Sequence, residues 1–118
     1  MIVGIGVDVV DLARFGRQVD RTPALIPRLF AESERGLAVH SLAARFAAKE
    51  ALVKALGHSG TLTWRDMEIV SDVHGNPGFV VDGPLAAVLA ARGIDRVHVT
   101  MTHDAGVACA FVVAEADR

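Results

Sequence analysis

One carboxylate and three cations lie in a segment whose other residues are suited to burial. Residues 45–57 read RFAAKEALVKALG, in which Arg45, Lys49, Glu50 and Lys54 stand among alanine, leucine and valine. At about 100° per residue of a helix, Glu50 and Lys54 share one seam between two apolar faces, and the other two cations lie nearer to the opposite seam. A carboxylate beside cations in partly desolvated seams is suited to an anionic ligand that binds together with a metal ion. The alternative is an i,i+4 ion pair between Glu50 and Lys54 on a surface strip, worth about 0.2–0.5 kcal/mol, and the helix alone leaves both open.

Two further polar side chains could complete such a site. Asp8 projects from the same face of an alternating segment as Gly4 and Gly6, where the lack of side chains would let a ligand approach the backbone. Two carboxylates on separate elements, with cations nearby, suit Mg²⁺, whose octahedron is completed by phosphate and water oxygens. His103 stands at the lip of a predicted hairpin, where an ordinary surface histidine is the alternative. These residues suit a Mg²⁺ and phosphate site that includes Asp8 and Glu50, and the surface ion pair stays open beside it.

A second cluster of charge follows the first predicted strand. Arg14, Arg17 and Arg21 fall within about 60° of one another at helical spacing, and Arg28 extends the cluster beyond a proline that breaks the register. The chain as a whole carries a net charge of −2, so this cluster is a local excess of positive charge. It is interpreted either as a solvated helix face or as a docking surface for an acidic partner.

The elements that must position these residues alternate between strand and helix patterns. In the first half of the chain, the sequence predicts a strand over residues 2–10, a helix over 11–21 capped by Asp11, a second helix start at Thr22-Pro23, a polar loop over 31–40 and a long helix over 41–56 ended by Gly57. In the second half, it predicts strands over 66–73 and 78–83 joined by the turn HGNP, a helix over 84–92, and a hairpin of strands 96–103 and 106–115. The order β-α-α-β-β-α-β-β predicts an α+β fold with a mainly antiparallel sheet and a long central helix.

Length and composition restrict the function classes. A chain of 118 residues is expected to form one domain over residues 1–118. The hydrophobic fraction of 52% is high for a small protein, which indicates that some apolar surface is shared between subunits. The charge balance gives no indication of nucleic-acid binding, and no apolar stretch approaches the roughly 20 residues that span a bilayer. Without a signal-peptide pattern at the start, the cytoplasm is the expected location.

Five stretches of the chain form a recognisable set. They are GIGVDVVDLARF at 4–15, RFAAKEALVKALG at 45–57, W-x-D-M-E-I at 64–69, G-N-P at 75–77 and VHVTMTHDAGVACAFVV at 97–113. The pairing of an early G-x-D with a later F-x-x-K-E-A-x-x-K-A is specific, whereas a lone G-x-D carries no information. With these motifs the chain resembles, nearly from end to end, the small bacterial class of 4′-phosphopantetheinyl transferases, the holo-[acyl-carrier-protein] synthases.

The resemblance implies transfer of the phosphopantetheine arm of coenzyme A to a serine of apo acyl carrier protein, with release of adenosine 3′,5′-bisphosphate. By position, it implies Asp8 and Glu50 as Mg²⁺ ligands, and Lys54 as the cation that stabilises charge on the bridging or leaving phosphate. Deprotonation of the serine would fall to Glu50, directly or through a metal-bound water. The implied contacts with coenzyme A are Arg45, Lys54 and His103 at its phosphates, and Gly57 and the turn His74-Gly75-Asn76-Pro77 at its nucleotide.

The resemblance also implies an assembly and a partner. The family is trimeric with active sites between subunits, so Asp8 and Glu50 would belong to one subunit while Arg45 serves a neighbouring site. An acidic helix of the carrier protein would dock on Arg14, Arg17, Arg21 and Arg28. The chain departs from the family in having Thr102 where serine is usual and in a shorter loop over residues 31–40, and the resemblance gives Lys49 no role.

Two other readings of the same residues stay open at this point. The cations could hold coenzyme A or another nucleotide in a non-catalytic oligomeric binding module. Alternatively, the chain is a structural α+β domain with a surface ion pair, in which case neither coenzyme A nor Mg²⁺ would affect it.

Overall fold

The computed structural model describes residues 1–117 and contains a three-stranded antiparallel sheet and a separate two-stranded hairpin. The elements are β1 (Ile2–Asp11), α1 (Leu12–Arg21), α2 (Leu25–Leu29), α3 (Val39–Leu56), β2 (Ile69–Ser71), β3 (Pro77–Phe79), α4 (Gly83–Ala91), β4 (Arg96–Asp104) and β5 (Val107–Glu115). Two short 3₁₀ turns lie at Glu32–Glu34 and Trp64–Asp66, and are called here the first and second 3₁₀ turn. The predicted α+β class with an antiparallel sheet and a long central helix is confirmed.

The order of elements differs from the prediction in two places. Three helices rather than two separate β1 from β2, because α2 is distinct from α3. The Thr22-Pro23 cap is wrong, since α2 begins only at Leu25 and has no side-chain cap. Strands β2 and β3 have three residues each, shorter than predicted, because the Asp72 carboxylate accepts the backbone N–H groups of His74 and Asn76 and turns the chain early.

The main sheet has the order β1-β5-β4, so that β5 is central and pairs with a strand on each side. The β4–β5 hairpin turns at Ala105 and Gly106, whose φ angles of 51° and 80° are both positive. Such a turn matches the right-handed twist of the flanking strands, which fixes the register of the hairpin. Asp8 is thereby paired with Ala110, which is in turn opposite Met101.

Helix α3 lies directly on the glycine-bearing face of β1. A Cβ atom built on Gly6 would be 1.9 Å from the carbonyl oxygen of Ala51, and one on Gly4 would be 2.1 Å from that of Ala55. The expectation that a ligand approaches the backbone on this face is therefore wrong, since the backbone of a helix occupies it. Alanines on α3 and glycines on β1 together allow this close packing.

The outer face of the sheet is apolar and exposed in the single chain. Val3, Ile5, Val7 and Val9 on β1 are 41%, 60%, 47% and 59% exposed, and Phe111 on β5 lies opposite Val7. The valine and isoleucine face of β1 is thus open, and the face that carries the glycines is the covered one. None of the helices within residues 1–117 combines the length and apolar character needed to cross a membrane.

Candidate active site

Lys54 of α3 reaches across to β1 rather than along its own helix. Its Nζ donates to the Asp8 carboxylate Oδ1 and to the Val7 carbonyl oxygen, both at 3.0 Å. Among the described residues, the ion partner of Lys54 is Asp8, and Glu50 forms no ion pair. The alternative of an i,i+4 pair between Glu50 and Lys54 is therefore excluded, because the close approach of α3 to β1 offers Lys54 a carboxylate on the strand.

Glu50 lies beside this pair and is half-buried. Its burial raises the pKa of the carboxyl group above the usual range, and the negative charge of Asp8 raises it further, while Lys54 acts in the opposite direction. A carboxylate that is both desolvated and repelled by a second carboxylate is stabilised by a cation placed between the two. The charge arrangement thus favours binding of a cation in addition to Lys54.

These side chains line an open cleft of about 450 Å³ between β1, α1 and α3, whose polar wall includes Asp8, Glu50, Lys54, Arg14 and Gln18. The start of α1 is fixed by the predicted cap, since the Arg14 N–H donates to Asp11 Oδ1 at 2.8 Å. Sequence reasoning placed Arg14 only on a docking surface, whereas it lines the same cleft as the two carboxylates.

A second cavity of about 400 Å³ adjoins this cleft and shares Phe15, Gln18 and Phe46 with it. Leu25, Leu29 and Trp64 supply most of the rest of its apolar lining, and Arg21 and Arg28 also line it. Arg17 is exposed on α1 and lines neither of these two cavities. Three of the four predicted docking arginines therefore lie along one continuous depression that runs from the carboxylates to the end of α2.

Arg45 and Lys49 lie on the other side of α3 and are buried. The Arg45 Nη2 donates to the Ser71 hydroxyl oxygen at 3.4 Å, and its Nε is 3.9 Å from Glu34 Oε2 without forming a hydrogen bond. The Lys49 Nζ donates to Glu34 Oε1 at 2.7 Å. Burial lowers the pKa of Lys49, and its hydrogen bond to Glu34 opposes that effect. Glu34 was expected in a polar loop, and no local signal in residues 31–40 distinguishes it from the neighbouring glutamate.

The other residues predicted to contact coenzyme A do not line the cleft of their own chain. His103 packs against His40 in the first turn of α3, with ring centroids 4.8 Å apart. Gly57 ends α3 as predicted, with φ of 89°. The tip of the β2–β3 hairpin contains Gly75 and Asn76, and Pro77 begins β3. The backbone N–H of Asn76 donates to the Asp72 carboxylate, and this hydrogen bond holds the pKa of Asp72 below its usual range.

The carboxylates fit a magnesium ion that shares its coordination with a substrate. Residues 1–117 contain no group of three or more histidine, cysteine, aspartate or glutamate side chains placed to hold a metal by themselves. Mg²⁺ commonly takes only one or two protein carboxylates and fills its remaining positions with phosphate and water oxygens. Asp8 and Glu50, with the raised pKa of Glu50, correspond to this kind of site.

Comparison with known proteins covers nearly the whole chain. The model of the 4′-phosphopantetheinyl transferase superfamily matches residues 4–112. A holo-[acyl-carrier-protein] synthase of Leifsonia xyli is 65% identical over 117 residues, which cover 99% of each protein. The crystal structure of the holo-[acyl-carrier-protein] synthase of Neisseria meningitidis superposes with a TM-score of 0.90 at 39% identity, over 98% of this chain and 99% of that one. The corresponding protein of Helicobacter pylori, solved in complex with coenzyme A, superposes with a TM-score of 0.84 at 30% identity, over 94% of this chain and 99% of that one.

Proposed function

The chain belongs to the 4′-phosphopantetheinyl transferase superfamily, and from this premise we propose that it transfers the phosphopantetheine arm of coenzyme A to a serine of an apo acyl carrier protein, with Mg²⁺ and with release of adenosine 3′,5′-bisphosphate. The observation that carries the proposal is the cleft in which Asp8, Glu50 and Lys54 meet. Relatives named holo-[acyl-carrier-protein] synthase, and a neighbour solved with coenzyme A, support the choice of both substrates.

The reaction needs a cleft that gathers and neutralises negative charge. The serine oxygen forms a bond to the β-phosphorus of coenzyme A, and the bond from that phosphorus to the bridging oxygen breaks, leaving the nucleotide bisphosphate. Phosphoryl transfer of this kind is catalysed mainly by positioning and charge stabilisation. When bound by Asp8 and Glu50, Mg²⁺ supplies a Lewis acid for the phosphate oxygens. Lys54 sits on the rim of the same cleft, where its ammonium can donate to the bridging or leaving phosphate oxygen.

We assign the deprotonation of the serine hydroxyl to Glu50. In the metal-free chain, burial and the charge of Asp8 raise the pKa of Glu50, and its carboxylate lines the cleft that the serine has to enter. Asp8 raises the pKa of Glu50 through its negative charge, in addition to its proposed role as a Mg²⁺ ligand. The acceptor role requires the ionised form, so Glu50 has to be deprotonated before the serine arrives.

The depression that runs from the cleft to the end of α2 suits an acidic helix with apolar side chains. Arg14 lines its cleft end, Arg21 and Arg28 line the second cavity, and most of the lining of that cavity is apolar. Opposite charges on a partner would steer the encounter and set the register, while apolar side chains entering the second cavity would supply contact area. We assign this surface, with the exposed Arg17 at its edge, to the carrier protein.

We further propose that the enzyme is a homotrimer with active sites between subunits. The exposed apolar face of β1 and β5 supports an interface, because contiguous apolar patches on a surface mark association sites. Arg45, His103 and the turn His74-Gly75-Asn76-Pro77 do not line the cleft of their own chain. Their assigned contacts with coenzyme A, together with that of Gly57, would then be made in a cleft shared with a neighbouring subunit. The cytoplasmic location stays a prediction.

Mass spectrometry of an apo carrier protein incubated with coenzyme A, Mg²⁺ and the enzyme tests the proposed function. We expect a mass gain of one phosphopantetheine, and loss of that gain when a chelator removes the metal. Binding of coenzyme A without any mass gain of the carrier would instead support the non-catalytic binding module.

A further inference from the structure

A buried ion pair lies one residue away from Glu50, and the proposed chemistry does not use it. The side chains of Lys49 and Glu34 are both 0% exposed, and the Lys49 Nζ is 2.7 Å from Glu34 Oε1. Lys49 Nζ also donates to the carbonyl oxygens of Leu29 at 2.9 Å and Trp64 at 3.1 Å. An ammonium group has three N–H donors, so all three of them have a partner.

The pair fastens several elements to one turn of α3. Leu29 is the last residue of α2, Glu34 lies in the first 3₁₀ turn, and Trp64 begins the second 3₁₀ turn. The Glu34 carboxylate also accepts the backbone N–H groups of Ala31 at 2.9 Å and Ile69 at 3.3 Å. Through these bonds, segments that are separate in the sequence are held to a single side chain of the helix.

The same segments form the wall of the second cavity. Leu25, Arg28 and Leu29 come from α2, Trp64 comes from the second 3₁₀ turn, and Phe46 of α3 closes the cavity from below. The parts of this wall that come from α2 and from the second 3₁₀ turn are connected to α3 along the chain only through loops. The side chain of Lys49, the residue that precedes Glu50, holds both parts to α3 directly.

Stability alone does not account for a charged pair at this position. Removing two charges from water is costly, and replacing a buried ion pair by packed apolar residues is often neutral or stabilising. Apolar contacts, however, are non-directional, whereas three hydrogen bonds from one ammonium define a single arrangement of their acceptors. The contribution that only the charged pair makes is therefore to fix the relative positions of the backbone groups that it bonds.

We propose that Lys49, together with Glu34, is a positioning residue that holds the carrier-docking wall in a fixed orientation to Glu50. The inference rests on the proposed function, because it assumes that the carrier protein binds this wall. Asp8, Glu50 and Lys54 are placed by the packing of α3 on β1, which does not involve the pair. Loss of the pair is therefore expected to weaken the use of the carrier protein and to leave the use of coenzyme A unchanged.

The experiment is steady-state kinetics of the double variant Glu34→Gln/Lys49→Met, with each substrate varied in turn. Both charges are removed together, because Lys49→Met alone would leave the Glu34 carboxylate buried without its partner. We expect KM for the apo carrier protein to rise about tenfold, with KM for coenzyme A changed by less than about twofold. Hydrogen exchange should show faster exchange over residues 25–35 and unchanged protection of α3.

Leu89→Ala is the matched control. Leu89 is buried on α4 and lines neither the cleft nor the second cavity, so its truncation lowers the melting temperature without removing a residue of the wall or a bond of the pair. A purely structural role of the pair predicts that the double variant behaves like this control, with a lower melting temperature and both KM values unchanged. That result would overturn the proposal.

If the double variant does not fold, Glu34→Asp alone decides the matter. This change keeps the negative charge that pairs with the buried Lys49 but shortens the side chain by one methylene group, which displaces the groups bonded to it, and we expect KM for the carrier to rise by at least about threefold. An unchanged KM in this variant contradicts the positioning role. Failure of the wild-type chain to modify any carrier protein would instead contradict the proposed function, so the two failures are distinguishable.

Discussion

Replacing Gly6 by alanine tests whether the contact between β1 and α3 sets the geometry of the active site. The added Cβ atom would lie 1.9 Å from the Ala51 carbonyl oxygen and 2.8 Å from the Ala55 backbone nitrogen. Since real Cβ atoms do not approach such atoms within 3.0 Å, α3 has to move away from β1 by about 1.1 Å. Both neighbours are backbone atoms of a regular helix, so no side-chain rotation can relieve the clash.

This displacement is expected to lower both the stability of the fold and the turnover of the enzyme. Overpacking of this kind costs about 3 kcal/mol of unfolding free energy, which lowers the melting temperature of a chain of this size by roughly 10 °C. The same movement separates Glu50 and Lys54 on α3 from Asp8 on β1 by about 1 Å, and a misplacement of that size lowers turnover by about a hundredfold.

The assay is phosphopantetheine transfer at a temperature at which Gly6→Ala is still fully folded by circular dichroism, so that stability and turnover are measured separately. Gly16→Ala is the matched control, because a Cβ atom there meets only the Val39 Cγ1 at 3.7 Å. That variant is expected to be more stable by about 0.5–1 kcal/mol, since alanine is favoured over glycine within a helix. Wild-type stability and turnover in Gly6→Ala would refute the reasoning, because they would mean that the strand and the helix are not in backbone contact.

The remaining predictions concern the charges of the site. Glu50→Gln and Asp8→Asn should each reduce transfer, measured by mass spectrometry, by at least about a hundredfold while the melting temperature is kept, and near-normal rates in either variant would contradict the assignment of the carboxylates. Because the pKa of Glu50 is raised by burial and by Asp8, its ¹³C carboxyl titration without metal should move to lower pH in Asp8→Asn; a titration that does not move would show that the two charges do not interact. The pKa of Glu50 is higher in the folded than in the unfolded chain, so the protonated carboxyl group stabilises the fold. This stability is fully present below the unfolded pKa and is lost as the pH rises through the folded pKa. Denaturation measured over a range of pH should show this change in the wild-type chain and not in Glu50→Gln. Arg21→Ala and Arg28→Ala should raise KM for the carrier protein and reduce its dependence on salt while KM for coenzyme A stays constant, and an equal effect on both substrates would argue against the docking surface.

The sequence alone predicted the elements with strong periodicity. The alternation of β1, the end of α3 at its glycine and the β4–β5 hairpin were all correct, because each depends on local patterns and turn residues. Helix α3 begins at Val39, two residues earlier than predicted and within the stretch predicted as a loop. The capping role of Asp11 was also correct, since the bond to the Arg14 N–H is a contact over three residues. The wheel of α3 rightly placed Glu50 and Lys54 on one side and Arg45 and Lys49 on the other.

What the sequence could not predict were partners that lie far apart in the chain. Glu50 was the only ion partner that the helix itself offered to Lys54, but its partner is Asp8, which is 46 residues away. Lys49 had no role because Glu34 was read as part of a polar loop, and only the tertiary fold buries that carboxylate against an ammonium. The glycines of β1 were read as space for a ligand, since nothing local reveals that a helix will approach the strand so closely.

The contact of Lys54 with Asp8 means that a metal ion binding to Asp8 has to replace the ammonium group of Lys54. In the chain by itself, the ammonium of Lys54 neutralises Asp8 Oδ1 and fills one of its lone-pair directions. A divalent ion that binds this carboxylate competes with the ammonium for the same oxygen, and two cations close together repel each other. The Lys54 side chain, which is 54% exposed, is free to swing away. If Mg²⁺ binds at Asp8 as proposed, the Lys54 ammonium would be released from the carboxylate and become available to the phosphates of the substrate.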